Sequence, residues 1–185
     1  NANEGETYSD GEFRERVASS GKLGDFINSN PRFLGAPAFS VALRGAAPYP
    51  TDTGETYEEF FDQYKTRDEL VYIGSNDGML HAFNAETGDE VFAYVPNEVV
   101  ENLSDLTKQS YTSGTHQFYT DNTVAIMDAY TATTDGGTID WASVLVGSLR
   151  AGGRGYFALN ITDPSSFSSG NNVSDYETNA TPNVL

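Results

Sequence analysis

Apolar and polar positions alternate along this chain in short runs, and Gly, Asn, Asp and Pro close those runs at near-regular intervals. The clearest example spans Val71 to Pro96, VYIGSNDGMLHAFNAETGDEVFAYVP. VYIGS is a β-rich run, NDG supplies residues that accept the positive φ of a tight turn, and MLHAFN is a second strand. AETG is a second turn, and DEVFAYV a third strand stopped by Pro96. Three consecutive antiparallel strands form a meander, the greater part of a four-stranded propeller blade.

The pattern partly repeats. VLVGS from Val144 matches VYIGS from Val71, and ALNITDPS from Ala158 then matches AFNAETGD from Ala82 after a longer turn. A candidate strand precedes each copy: PRFLGA, where Pro31 marks the strand start and Phe33 and Leu34 are its apolar content, and NTVAIMDA. The period exceeds the ~40–50 residues of compact propeller repeats, which helical insertions in the connections would explain. HQFYTDNTVAIMDAY reads as a hairpin turning at Asp121 and Asn122, followed by the polar loop TATTDGGTID and by Trp141 leading into SVLVGS. The second copy stops before its last strand.

Two segments carry helical periodicity instead. Thr56 and Glu59 have capping-box spacing, and YEEFFDQY places Tyr57, Phe60, Phe61 and Tyr64 on one face, a stripe suited to pinning an insertion onto a sheet. NEVVENLSDL places Val99, Val100, Leu103 and Leu106 at helical spacing. The expected fold is therefore all-β and mainly antiparallel, a partial β-propeller of about two blades with short helices in inserted loops. Residues 1–22 read as a polar lead-in with at most a short helix at Phe13 to Val17. Residues 23–164 form the partial propeller, with blade segments 23–95 and 116–164 and helical insertions 50–69 and 97–106. Residues 165–185 form an irregular Ser/Asn-rich tail.

Composition narrows the function classes. Over 185 residues, 27 Asp and Glu stand against 10 Lys and Arg, a formal charge of −17 that repels phosphate backbones and argues against nucleic-acid partners. With no cysteine, disulfides and thiolate metal sites are excluded. No apolar run reaches the ~18 residues of a membrane helix.

Candidate chemistry is sparse. AGGRGY from Ala151 lacks the Lys-Ser/Thr of a phosphate loop and precedes a strand, so it reads as a wide hairpin turn. His81 and His116 have no metal spacing, and His81 reads as a packed or hydrogen-bonded strand residue. No Gly-x-Ser-x-Gly elbow occurs. SNDG at Ser75 and DNT at Asp121 read as turns, with too few oxygens for calcium. The sequons at Asn102, Asn160, Asn172 and Asn179 carry no argument in Asn-rich loops. No catalytic, cofactor-binding or metal-ligating residue is assigned, and Tyr72, Phe83, Phe92 and Trp141 are read as core.

With GSNDGMLHAFNA and GGRGYFALNITDP both present, and LGDFINSNP ahead of them, the chain resembles the C-terminal β-propeller of PilY1-type type IV pilus tip proteins across Leu23 to Pro164. The resemblance implies a non-enzymatic, secreted or surface-exposed bacterial protein at the pilus tip. It implies minor pilins as partners, further chains or segments completing the propeller, and roles in pilus assembly, adhesion and twitching motility. Calcium is implied for the complete family propeller, through an acidic loop beyond the matched segment, and for no residue of this chain. VYIGSNDGMLHAFNAETG is also similar to the blade repeat of quinoprotein dehydrogenases, whose propellers hold pyrroloquinoline quinone. A generic propeller scaffold is the third reading.

Overall fold

A computed structural model describes residues 13–14, 21, 23–38, 55–132 and 139–165. The chain folds into two antiparallel sheets. The first, in order β1-β2-β3-β4, contains β1 (Arg32–Leu34), β2 (Leu70–Gly74), β3 (Leu80–Asn84) and β4 (Glu90–Tyr94). The second, in order β5-β6-β7, contains β5 (Ala125–Ala132), β6 (Ile139–Ser148) and β7 (Tyr156–Asn160). The first is thus a four-stranded blade, and the second has three strands among the described residues.

The meander forms where its turn chemistry places it. Gly78 and Gly88 take φ of 94° and 77° in the β2–β3 and β3–β4 turns, and the Asn84 side chain accepts the N–H groups of Glu86 and Thr87. Alternation then decides the buried face. Cross-strand partners share a face, so Tyr72, Ala82 and Phe92 point together into the core, with Leu34, Leu70 and Leu80 beside them. From the second sheet, Leu145, Phe157, Leu159 and Ile161 meet them, and Tyr94 packs on Phe157 at 5.2 Å between ring centroids. One core joins the two blades.

The insertion between β1 and β2 crosses to the other blade. Helix α1 (Tyr57–Tyr64) starts at a complete capping box, with Thr56 accepting from Glu59 N–H and the Glu59 carboxylate accepting from Thr56 N–H. Its buried face does not lie on its own sheet. Tyr57 meets Trp141 of β6 edge-on at 4.9 Å and donates to the buried Asp128 of β5 at 2.8 Å. Asp128 also accepts from Ser143 Oγ at 2.5 Å, and Arg67, just after α1, donates to Ser143 Oγ, to Thr162 O and to Gly35 O. This buried polar network straps the first blade to the second.

Several sequence expectations change. Asp121 and Asn122 do not turn a hairpin: residues 116–124 are irregular, β5 begins at Ala125, and its partner is β6. Trp141 lies inside β6, which starts at Ile139, and is half-buried between Tyr57 and Tyr130. The helix expected over 97–106 splits into α2 (Asn97–Val100) and a 3-10 turn at Leu103–Thr107. Val99 is fully buried while Val100 is half exposed, so a single turn satisfies the apolar contact. At Phe13, where a short helix is expected, the backbone bridges Lys108 in antiparallel fashion, and residues 15–17 lie outside the described residues. The Gly-rich stretch is a turn, with a 3-10 segment at Arg150–Gly152 between β6 and β7.

Close backbone approach at Gly152 tests the packing of that turn. A Cβ there would overlap the carbonyl of Tyr119, whereas one at Gly88 meets nothing and costs only the positive φ. We expect G88A to lower stability by about 1 kcal/mol and G152A by about twice that or more, read as denaturation midpoints at constant m-value.

Candidate interaction surface

The loops at one end of the two blades are organised by a single carboxylate. Asp121 is 2% exposed and accepts the backbone N–H groups of Ile27, Asn28 and Ser29 at 2.9 to 3.1 Å. The side-chain amides of Asn28 and Asn76 add bonds at 2.9 and 3.2 Å. Successive N–H groups converging on one anion make a nest, filled here by the chain's own carboxylate. Burial works against the charge, but the donors from Asn28 and Ser29 outweigh it and hold the carboxyl below its ordinary range.

The segment around Asp121 is wedged between the turns of both blades. Tyr119 N–H donates to Asn76 Oδ1 and Thr120 N–H to Ser75 O, on the first blade. Asn122 Nδ2 donates to Ser148 Oγ at 2.5 Å, on the second. Gly74 leaves room for the Thr120 carbonyl, and Gly152 for that of Tyr119. LGDFINSNP is thereby joined to TDNT across more than ninety positions of sequence, through bonds such as Ser29 N–H to Asp121 with a separation of 92 residues.

Beside this wedge lies a cleft of about 500 Å³ with apolar walls from Leu23, Met79, Leu103 and Leu106, and with Asp25 and Asp77 among its polar lining. His116 Nε2 lies 3.0 Å from Asp25, and Phe118 stacks edge-on against His116. Both histidines thus pair with carboxylates: His81, the expected hydrogen-bonded strand residue, is 2% exposed between Asp77 and Glu90. Tyr72 and Phe92 are core as expected, while Phe83 is half-buried and stacks on His81 at 5.8 Å.

Two sheet faces turn away from the shared core. On the first, Phe33, Val71 and Phe83 are cross-strand partners, and Phe33 is 58% exposed. On the second, Met127 opposite Val144 and Val146 opposite Ala125 and Ala158 form an apolar face on which Met127 is 55% exposed. These are the faces on which neighbouring blades stack in a propeller. Among the described residues, no group of three or more His, Cys, Asp or Glu side chains is placed to hold a metal ion. No helix among them is long and apolar enough to cross a membrane.

Replacing Asp121 removes the acceptor of three part-buried backbone N–H groups and of the buried Asn76 amide. D121A is expected to lower stability by about 3 kcal/mol, whereas D62A, which breaks an exposed pair with Lys65, changes it by less than about 0.5 kcal/mol. Because the folded carboxyl lies below the ordinary value of 3.8, its contribution is present above that pH and is lost as pH falls through the folded value. Urea titrations at neutral pH and near pH 3 therefore give a smaller wild-type-to-D121A difference in acid.

Comparison with known proteins agrees with this architecture. The type IV pilus biogenesis factor PilY1 of Pseudomonas aeruginosa strain PAO1 is 44% identical over 142 residues, covering 77% of this chain and 11% of that protein. A PilY1 homolog of Xylella fastidiosa is 44% identical over 147 residues, covering 79% of this chain and again 11% of the relative. The crystal structure of the P. aeruginosa PilY1 C-terminal domain superposes with a TM-score of 0.50 at 41% identity, over 72% of this chain and 23% of that one. The chain thus spans about a tenth of the length of these curated relatives. The family model for the PilY1 beta-propeller domain matches residues 23–174. With two blade-like sheets in hand and that match across most of its length, the chain belongs to the PilY1 beta-propeller family.

Proposed function

We propose that this chain is a non-enzymatic part of a type IV pilus tip protein that acts outside the cell, meets minor pilins, and supports pilus assembly, surface adhesion and twitching motility. The observation that carries the reading is the match of residues 23–174 to the PilY1 propeller, with relatives named as pilus biogenesis factors. The geometry suits a scaffold. Carboxylates that could act as bases are engaged: Asp121 by N–H donors, Asp128 by Tyr57 and Ser143, and Asp77 by His81 and the N–H groups of Gly24 and Met79. Their arrangement holds loops in place at the rim of a rigid sheet, where recognition surfaces are commonly built.

The two outward apolar faces define how this unit fits into a larger body. Further blades, from the same protein or from associated chains, cover Phe33 and Val71 on one side and Met127 and Val146 on the other.

In-frame removal of residues 23–165 from the protein in a piliated bacterium is expected to abolish surface pili and twitching zones and to prevent co-purification of minor pilins. Unchanged piliation and motility, with the shortened protein present at the cell surface, would overturn the reading.

A further inference from the structure

The outward face of the first blade holds a buried histidine between two carboxylates. His81 Nδ1 lies 2.5 Å from Glu90 Oε1, and Nε2 lies 3.0 and 3.2 Å from the two oxygens of Asp77. The imidazole is 3% exposed, Asp77 13% and Glu90 45%. An ionised carboxylate only accepts, and a neutral imidazole has only one N–H. Both contacts are satisfied when both ring nitrogens carry protons.

An irregularity in the ladder creates this arrangement. Ala82 faces Phe92, but Phe83 faces Glu90, so Val91 is an extra residue on β4. In an uninterrupted ladder Glu90 would sit opposite Asn84 and share the core-facing side. The bulge moves Glu90 onto the face of Phe83 and His81 and leaves Val91 packed against the core. On the other side, Asp77 accepts from Gly24 N–H at 2.8 Å and from Met79 N–H at 3.1 Å.

We propose that His81, Asp77 and Glu90 form a proton-operated clasp: the doubly protonated imidazole ties the β2–β3 turn, β3, the edge strand β4 and the Leu23–Gly24 backbone together, and loss of one proton releases them. The clasp is independent of the pilus reading. The charged groups acting on His81 are Asp77 from the turn and Glu90 from β4. Its cross-strand neighbours are Ile73 and Ala93, and its own strand offers the Phe83 ring. Burial opposes the charged imidazole, but the bonds and charges of both carboxylates outweigh it and raise its pKa above 6.5. Burial likewise opposes the Asp77 charge, and His81 with the two N–H donors overcomes it and lowers that carboxyl below 3.8.

The signs define a window. The histidine's contribution is complete below its unfolded value and is lost as pH rises through the raised folded value; that of Asp77 is lost as pH falls through its lowered one. The clasp is closed between these limits.

Long-range proton–nitrogen NMR of the imidazoles, assigned with H116Q, tests this on the 185-residue chain together with hydrogen exchange of the Gly24 and Met79 amides. The expected result is a His81 ring with both nitrogens protonated in more than half of the molecules at pH 6.5, its ordinary pKa, and protection of both amides falling about tenfold as the pH passes its midpoint. The amide of Ile161, bonded to Ser143 O in the second blade, keeps its protection. E90Q, at a partly exposed position, lowers the midpoint by about one pH unit. A His81 ring that has lost one proton in half or more of the molecules at its ordinary pKa of about 6.5, or amide protection unmoved through the midpoint, would overturn the clasp.

Discussion

The seating of the Asp121 carboxylate in the backbone nest of Ile27, Asn28 and Ser29 governs how the two blades meet at one end. Without a charge there, three part-buried N–H groups of an irregular segment would lose the acceptor they share, a cost that irregular backbone absorbs poorly. With it, the loop before β1 and the segment before β5 become one layer. Asn76 ties that layer to the turn of the meander through both ends of its amide, bonding Asp121 with one and Tyr119 N–H with the other. The glycines at 74 and 152 then follow as steric requirements of a backbone lying against backbone.

A second junction complements the first at a different place in the fold. Arg67, Ser143, Asp128 and Tyr57 form a buried polar cluster beside an aromatic one made by Tyr57, Phe60, Trp141 and Tyr130. The hydrophobic core between the sheets supplies adhesion without direction, whereas these polar junctions specify one relative placement of the blades. The result is a two-blade unit whose inner faces are committed to each other and whose outer faces carry exposed apolar side chains such as Phe33 and Met127. Membership of the PilY1 propeller family gives that polarity its architectural meaning.

Legibility in the sequence followed the range of the interactions. The β2-β3-β4 meander was readable because its turns are made by adjacent residues, Asn-Asp-Gly and Glu-Thr-Gly, and α1 because Thr56 and Glu59 cap it locally. Asp121 and Asn122 look like turn residues for the same local reason, yet their role is set by partners about ninety positions away, which no window detects. The bulge at Val91 was hidden because DEVFAYV alternates acceptably in either register. The helix over 97–106 was over-extended because apolar spacing alone does not reveal that Val99 reaches the core and Val100 does not.

The detour of the β1–β2 connection also orders events in time. The meander joins its strands through turns of a few residues, so its loops close at little entropic cost. β1 is separated from β2 by an insertion whose helix must first find Asp128 and Trp141 on the other blade. Contacts so distant in sequence form late. The edge strand β1 is therefore expected to complete its sheet only once the second blade exists to receive α1, so that the two blades reach their final form as one cooperative step rather than in the order the chain is made.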